Sequence, residues 1–510
     1  MYNLDVVFMK KKSNKNNLLS FRKYLCIFIV ILSAIVSGLV YFINVFPLEY
    51  FLVFISLIII IDLIVIYLIL SKGHIKNVIG GFLALILIVI MTLGINYGLN
   101  TMDFLKSFGF SDYKTESYSV LVLSSSKFKS VSDLKNKTIG YLSKDNNEGL
   151  SKVVDKIKKK INYKEKIEED VDSLITSLIN EKVDAIVIDD ARLDILKEEN
   201  NEDAMIKLEG YFNKQKALME DSKEYFDSYD TDDIKMQANY DTDIDNVRNS
   251  SFNIYVSGID TYGSINKVSR SDVNILITVN PVTKEILLTN IPRDYYVKLH
   301  KNGEYDKLTH AGIYGIDESI NTLEDLFDTK INYYVKVNFT SLVDIVDALD
   351  GITVTSPYSF VSQDGYSYVK GDNIIDGKKA LSFARERKSF KEGDRTRGEN
   401  QQRVLTALIN KAMSPKIITN YTNLLTSLKG KFVTNISDED ITKLIKMQLK
   451  NNSSWTIKSI SVNGTDAMDY VYSYNKTKLY VMKPDYETVN NAKEQIKKVQ
   501  DKKNQSIYEK

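Results

Sequence analysis

VNILITVNPVTKEILLTNIPRD, residues 273–294, sets the architecture of the larger part of the chain. VNILITVN and EILLTNI are strand-like runs joined by the short turn PVTK, which predicts an antiparallel hairpin. Another strand, FNIYVSGID (252–260), comes before it. After it, IDESINTLEDLF (316–327) and FTSLVDIVDALDGI (339–352) have the apolar spacing of amphipathic helices and flank the strand NYYVKVNF (332–339). KALSFARER (379–387) is expected to end as a strand, and GENQQRVLTALINKAM (398–413) to form a helix. A helix at 438–450 and a strand within 454–464 should close the same domain. Strands with helices on both sides make an α/β/α sandwich with a mixed sheet, here assigned to residues 246–485. Residues 486–510, rich in Lys, Asn and Gln, are expected to form a polar tail that frays into a helix or disorder.

Upstream, three apolar runs at 24–46, 50–70 and 78–99 each have about the 20 residues that cross a hydrocarbon core as a helix. A cleaved leader is not expected, because no small-residue cleavage site follows the first run. Lys10, Lys11, Lys12, Lys15, Arg22 and Lys23 precede the first run, and Lys72 and Lys76 lie between the second and third. The positive-inside rule then makes residues 1–23 cytoplasmic and everything after about residue 100 extracytoplasmic. Asp62, inside the second run, is expected to be an acid tolerated through helix packing or a contact to another helix. Cys26 is the single cysteine, so no disulfide can form within the chain. Net charge is +1 in 510 residues, and no global field favours nucleic acid.

Residues 112–245 are assigned to an accessory domain and linker. YSVLVL (118–123), KTIGYL (137–142) and VDAIVIDD (183–190) are strand-like, and DVDSLITSLINEK (170–182) is an amphipathic helix. The alternation predicts a small α/β unit with a mainly parallel sheet, similar to one half of a periplasmic solute-binding protein. Asp189 and Asp190, at a strand end, are read as capping or solvated acids before ligand contacts. The acidic, Tyr-rich stretch 221–245 reads as a connector.

Chemistry concentrates between Asp260 and Gln401. The motifs are GID ending at Asp260, RSD (270–272), IPRD (291–294), RER (385–387) and GDRTRGENQQ (393–402). Arg270 and Asp272 leave one face of an extended segment, as Arg385 and Arg387 are expected to do. Arg397 and Gln401 are one helical turn apart near a helix start, where backbone N–H groups favour an anion. Arginines in this density, with Asp260 and Asp272 able to ligate Mg²⁺ (or Mn²⁺), suit a diphosphate and its metal. Taken singly, each element has a plainer reading. RER alone would be a surface salt-bridge strip, Asp294 a turn cap, Lys307 an exposed lysine and His310 a packing histidine.

These motifs, with NPVTKEILLTNIPRD, KLTHAG, DGKKALSFARER and GDRTRGENQQR, resemble the LytR–CpsA–Psr proteins of Gram-positive cell envelopes over about residues 250–485. Three spans and an accessory domain before the catalytic unit are similar to the capsule-type members. The resemblance implies a phosphotransferase that moves a glycopolymer, capsular or teichoic-acid-like, from a polyprenyl diphosphate carrier to peptidoglycan. It implies Asp260 and Asp272 as metal ligands. Arg270, Arg293, Arg385, Arg397 and Gln401 would hold the diphosphate, with Arg387 and Lys307 beside them. One departure is Tyr314 in KLTHAGIYG, where many members carry the first of two glycines. Asp272 and Asp294 are the candidate bases, and helices 316–327 and 339–352 the candidate walls of a lipid channel. Two other readings use the same residues. One is a membrane sensor that binds an anionic lipid without turnover; the other is a polyprenyl-diphosphate phosphatase.

Overall fold

The structure is a computed structural model. It describes residues 2–44, 46–107, 113–114, 116–123, 126–128, 130–143, 147–193, 228–230, 234–235, 247, 249–259, 265, 268–414, 428, 430–451 and 454–502. The chain divides into two compact units, the first holding residues 1–109, 415–429 and 437–454.

In that first unit the helices Tyr2–Ile43, Leu48–Leu70 and His74–Ser107 contain three segments long and apolar enough to cross a membrane, Ser20–Ile43, Leu48–Leu70 and His74–Asp103. Their seam is apolar, with Ile29, Val36, Val65, Ile69, Ala84 and Met91 buried. Asp62 is buried in it and accepts a hydrogen bond from Ser33 Oγ at 3.1 Å, so the acid is used between helices. Helix Asp438–Asn451 belongs to this unit, not to the sandwich as expected. Lys446 Nζ reaches Asn44 Oδ1 at 2.6 Å, and Lys450 Nζ reaches Glu49 Oε1 at 3.3 Å. Asn44 and Glu49 frame the connection between the first two spanning helices.

The second unit holds both α/β parts. The smaller has five strands in the order Lys164–Glu168, Thr138–Leu142, Ala185–Asp189, Ser117–Leu121, Ser228–Asp230. The first three run parallel, but Ser117–Leu121 is antiparallel to both its neighbours, so the sheet is mixed. Apart from the short strands at 228–230 and 234–235, residues 221–245 lie outside the described residues. Asp189 caps the following turn, accepting from Arg192 N at 2.9 Å and pairing with its guanidinium, while Asp190 accepts from Ser119 Oγ at 2.6 Å. One side of this sheet closes on helix Glu148–Lys160. The other side closes on helix Val171–Ile179 together with Val471, Tyr474, Leu479 and Val481 of the hairpin Gly464–Val471/Tyr474–Pro484, which follows the second sheet in sequence. The two α/β parts therefore share a core.

The larger part is built on six strands in the order Val433–Thr434, Tyr333–Asn338, Phe252–Ile259, Ser271–Asn280, Glu285–Asn290, Thr456–Ser461. The expected hairpin is present, with Glu285 opposite Asn280, and the sheet is mixed. Period-two alternation sorts its side chains. Tyr255, Leu276, Leu287 and Tyr334 face a dense core with helices Ile316–Phe327 and Tyr486–Asp501. On the opposite face lie helices Phe339–Ala348, Gly377–Arg385 and Asp394–Ala412, whose own core includes Val346, Phe383 and Val404. The architecture is the expected three-layer sandwich.

One local expectation fails, and one left open is decided. KALSFARER does not end as a strand: Asp376 caps a helix by accepting from Lys379 N at 2.9 Å, and Ala380, Phe383 and Ala384 bury one helical stripe up to Arg385. Of the two alternatives for the C-terminal segment, Tyr486–Asp501 takes the helical one and packs firmly, because Val489, Ala492, Ile496 and Val499 form an apolar stripe used by the core. The polar residues between them hid that stripe in the composition.

Candidate active site

The hairpin places the site. Strand Ser271–Asn280 starts where its neighbour Glu285–Asn290 ends, so RSD and IPRD meet although 21 residues separate Asp272 from Arg293. Arg293 Nη1 donates to Asp272 Oδ2 at 2.8 Å, and Thr309 Oγ1 donates to Oδ1 at 3.0 Å. Burial alone would raise the Asp272 pKa, but Arg293, Arg270 and Arg397 outweigh it and hold the carboxyl well below the usual carboxylate range. Asp294 follows the same logic: burial opposes ionisation, while Arg293, Lys307 and Arg397 favour it and lower its pKa. Lys307 Nζ lies 3.5 Å from Asp294 Oδ1. Lys307 is buried, not an exposed loop lysine, because the segment after strand Tyr305–Lys307 folds inward as a helical turn.

That inward turn is held from behind. Asp306 is fully buried and accepts from His310 Nδ1 at 2.7 Å and from Ser473 N at 2.8 Å. Ser473 Oγ is also 2.8 Å from His310 Nδ1. His310 thus belongs to a polar node and is not a simple packing residue. Both contacts use the same ring nitrogen, so the node is no nucleophilic relay. Gly312 is required here: a Cβ would stand 2.8 Å from the Ser269 carbonyl oxygen, directly against the RSD segment. Tyr314, the departure noted in the sequence, lies half-buried with its ring 6.1 Å from that of Tyr472.

Helix Asp394–Ala412 begins one turn earlier than expected, which puts Arg397 in its first turns beside Asp394, with which it forms an ion pair. Gln401 lies one turn further on. Arg385 is the last residue of its helix, and its guanidinium lies 4.3 Å above the Phe339 ring. Arg387 follows the helix and is exposed. The two do not share one face of a strand. Glu386 between them is buried and accepts from Gln363 N at 2.7 Å and Ser389 N at 2.9 Å, so RER is not a surface salt-bridge strip.

Behind the charges lies a cavity of about 780 Å³. Its floor is the second face of the sheet: Ile254, Val256, Val273, Ile275, Val335 and Val337. Its roof includes Phe339, Leu342, Ile345, Leu381, Ala384, Val404, Leu405 and Leu408, and its mouth carries Asp272, Arg293, Asp294, Lys307, Arg385, Arg387, Arg397 and Gln401. Helix Phe339–Ala348 is a wall, as expected. Helix Ile316–Phe327 is not, since Ile320, Leu323 and Phe327 are spent in the core on the other face. A second, more polar cavity of about 690 Å³ also reaches Asp272, Arg293, Arg397 and Gln401, and is lined further by Thr353, Thr355, Arg403, Ser461 and Asn463. Charge at the junction of an apolar and a polar cavity suits an amphiphile with an anionic centre.

Among the described residues no group of three or more His, Cys, Asp or Glu is arranged to hold a metal. Asp260 lies outside the described residues; Ile259 before it is in register with Ser271, next to Asp272.

The model of the LytR_cpsA_psr family matches residues 211–497. The chain belongs to that family. A second model, described as NMT1/THI5 like, matches residues 111–219, the smaller α/β part. Among LytR_cpsA_psr relatives, the polyisoprenyl-teichoic acid–peptidoglycan teichoic acid transferase TagU of Bacillus licheniformis is 35% identical over 200 residues, 39% of this chain and 64% of that protein. The Enterococcus faecalis protein of the same name is 34% identical over 229 residues, 44% of this chain and 74% of that one. The chain thus spans just under two thirds of the Bacillus protein's length. A crystal structure of B. subtilis TagV is 27% identical, with a TM-score of 0.43, covering 51% of this chain and 100% of that one.

Of the site residues expected in this LytR_cpsA_psr chain, Asp272, Arg293, Lys307, Arg385, Arg387, Arg397 and Gln401 meet at one cavity mouth. Arg270 is buried next to them and acts on Asp272. Thr309, Asp306 and Ser473 went unnoticed in the sequence. Thr309 had a signal, its place between Lys307 and the glycine of KLTHAG. Ser473 had none, because the hairpin that delivers it is far away in the chain.

Proposed function

We propose that this chain is a membrane-anchored transferase that moves a glycopolymer, teichoic-acid-like or capsular, from a polyprenyl diphosphate carrier to peptidoglycan. The observation that carries the reading is the continuity of an apolar cavity with a mouth of arginines, lysine and ionised aspartates. The polyprenyl tail lies over Ile254, Val256, Val335 and Val337, and the diphosphate meets Arg270, Arg293, Lys307, Arg385, Arg387, Arg397 and Gln401. The sugar end extends into the polar cavity. An acceptor hydroxyl attacks the sugar-proximal phosphorus, the bond from that phosphorus to the bridging oxygen breaks, and polyprenyl phosphate leaves with the bridging oxygen, which takes up the hydroxyl proton. Phosphoryl transfer of this kind needs positioning and charge neutralisation more than covalent help from the protein.

Asp272 and Asp294, held ionised by their cations, are weak proton acceptors; their part is to align Arg293 and Lys307 on the diphosphate. Asp272 fits a divalent cation such as Mg²⁺ or Mn²⁺, being a buried hard oxygen ligand kept charged, and its oxygens retain lone pairs beyond the bonds from Arg293 and Thr309. Asp260 is the second ligand in this reading. Bound there, the ion would neutralise charge on the diphosphate oxygens.

Residues after the third span lie outside the cell in this reading, with the N-terminus cytoplasmic. The contact of helix Asp438–Asn451 with Asn44 and Glu49 fits three crossings, which leave the first connection and the rest of the chain on one side, and the lysine bias says which side that is. The test is to supply the purified full chain with a lipid-linked diphosphate glycan, with and without peptidoglycan fragments. Coupled product plus polyprenyl phosphate supports the proposal. Lipid phosphate alone in both arms would make the protein a phosphatase, and no turnover would make it a sensor.

A further inference from the structure

The lipid cavity has a rim of which the proposed transfer chemistry uses only Arg385 and Arg387. Two small hairpins, Ile352–Ser356/Gly371–Ile375 and Phe360–Val361/Ser367–Tyr368, stand beside the segment RERKSFK (385–391). Ser389 Oγ donates to the Val361 carbonyl at 2.7 Å, and Gln363 N donates to Glu386 at 2.7 Å. Phe390 packs edge-on against Phe360, 4.7 Å between centroids, and lies 6.0 Å from Tyr358. These bonds fix hairpin and basic segment as one surface. Its inward side chains, Phe360, Tyr368 and Phe383, form an aromatic cluster. Its outward side chains are apolar and cationic groups interspersed with exposed Ser359, Gln363, Asp364, Ser367 and Asp372. Tyr358, Val361 and Val369 are 55%, 58% and 58% exposed, and Lys370, Arg387, Lys388 and Lys391 are exposed around them. The surface is continuous with the cavity, because Gln363, Asp364, Glu386 and Arg387 line both.

We propose that this rim is a bilayer-contacting surface: Tyr358, Val361 and Val369 enter the interface while Lys370, Lys388 and Lys391 meet anionic lipid headgroups, so that a lipid passes into the cavity without crossing water. The occupant follows from two features together. Exposed tyrosine and valine with four cations, Lys370, Arg387, Lys388 and Lys391, outnumbering the hairpin acids Asp364 and Asp372 suit a surface seated at headgroup depth of an anionic leaflet. The cavity that opens beside it is apolar within, and an apolar guest of that size resides in a membrane before it binds. A protein partner would not require the lysines, and a glycan would not require the valines. The inference rests on the proposed lipid-linked donor and adds the route by which that donor arrives.

The test uses the full chain in nanodiscs of neutral lipid or of neutral lipid with phosphatidylglycerol. Cys26→Ser removes the native thiol, and an environment-sensitive fluorophore is attached at Val361→Cys or, as control, at Glu494→Cys on the exposed side of the C-terminal helix. The probe at 361 is expected to report an apolar environment and to be quenched by a lipid-borne quencher in the anionic discs. Lys388→Glu with Lys391→Glu should reverse this and raise the apparent KM for a long-chain donor by roughly tenfold, leaving kcat unchanged. A water-soluble short-chain donor should show no change. Turnover with the 361 probe as water-exposed as the 494 probe overturns the membrane rim and leaves the transferase reading intact. Absence of turnover with a membrane-embedded probe overturns the transferase reading and leaves the rim intact.

Discussion

Arg385 and Arg387 are neighbours in sequence with different surroundings, and they separate the residue-scale possibilities. Both are exposed, but the Arg385 guanidinium lies over the Phe339 ring at the cavity mouth, whereas Arg387 follows the end of the helix at the rim. Arg385→Ala is expected to slow transfer by roughly ten- to a hundredfold, the worth of one charge-assisted contact, and more than Arg387→Ala. Arg385→Lys should restore part of the rate, keeping the charge but losing the planar fork and much of the stacking. Equal, mild losses in steady-state assays of all three would place the diphosphate elsewhere. Asp272 gives a prediction in pH. Its folded pKa is depressed by Arg293, Arg270 and Arg397, so its contribution to stability is complete above the ordinary aspartate value of about 4 and is lost as pH falls through the lower folded value. Asp272→Asn should therefore lower the melting temperature at neutral pH and flatten its dependence on acid; a melting curve with the same acid slope as the parent contradicts the assignment. The arginine set was legible in the sequence because charged pairs at short spacings need no knowledge of the fold. The Asp306–His310–Ser473 node was not, because one of its members comes from a hairpin 163 residues beyond His310.

At the scale of elements, strand alternation revealed the sheet but could not tell which of its faces is packed solid. Tyr255 and Tyr334 point into a filled core, and Val256 and Val335 into a cavity, although all four look alike in a strand pattern. Val335→Trp should fill part of that cavity while leaving the core untouched, raising KM for a long-chain donor and sparing a short-chain one. An equal effect on both donors in the same assay would mean the tail lies elsewhere. The strand end expected for KALSFARER rested on the i, i+2 spacing of Arg385 and Arg387; the cap at Asp376 and the stripe of Ala380, Phe383 and Ala384 make it a helix up to Arg385. Composition left the C-terminal segment open between helix and disorder, and its apolar stripe decides for the helix. The smaller α/β part looked self-contained, with all the arginine motifs outside it. Its shared core argues for dependence: Val471, Tyr474, Leu479 and Val481 would be uncovered in a chain starting near residue 246, at about 1.5–3 kcal/mol for each large side chain returned to water. Such a chain is expected to melt well below the parent and to bind a hydrophobic dye; unchanged melting would show the first part to be separable.

At the scale of the whole molecule, three helices long and apolar enough to cross a membrane and a charged cavity mouth are what the proposed reaction on a membrane lipid requires. The lysine bias that orients the anchor predicts that an introduced cysteine at exposed Lys301, in a Cys26→Ser background, reacts with an impermeant reagent in intact cells; labelling only after lysis reverses the topology. The central claim is that a phosphoryl-linked glycan leaves its lipid for peptidoglycan at the mouth formed by Asp272, Arg293, Arg385 and Arg397. The measurement that tests it most directly follows a donor radiolabelled at the sugar-proximal phosphate, incubated with the full chain and peptidoglycan. Label recovered covalently in peptidoglycan, with unlabelled polyprenyl phosphate released in equal amount, is the result the account predicts. Label recovered only as a water-soluble glycan phosphate, or retained on the lipid, contradicts it.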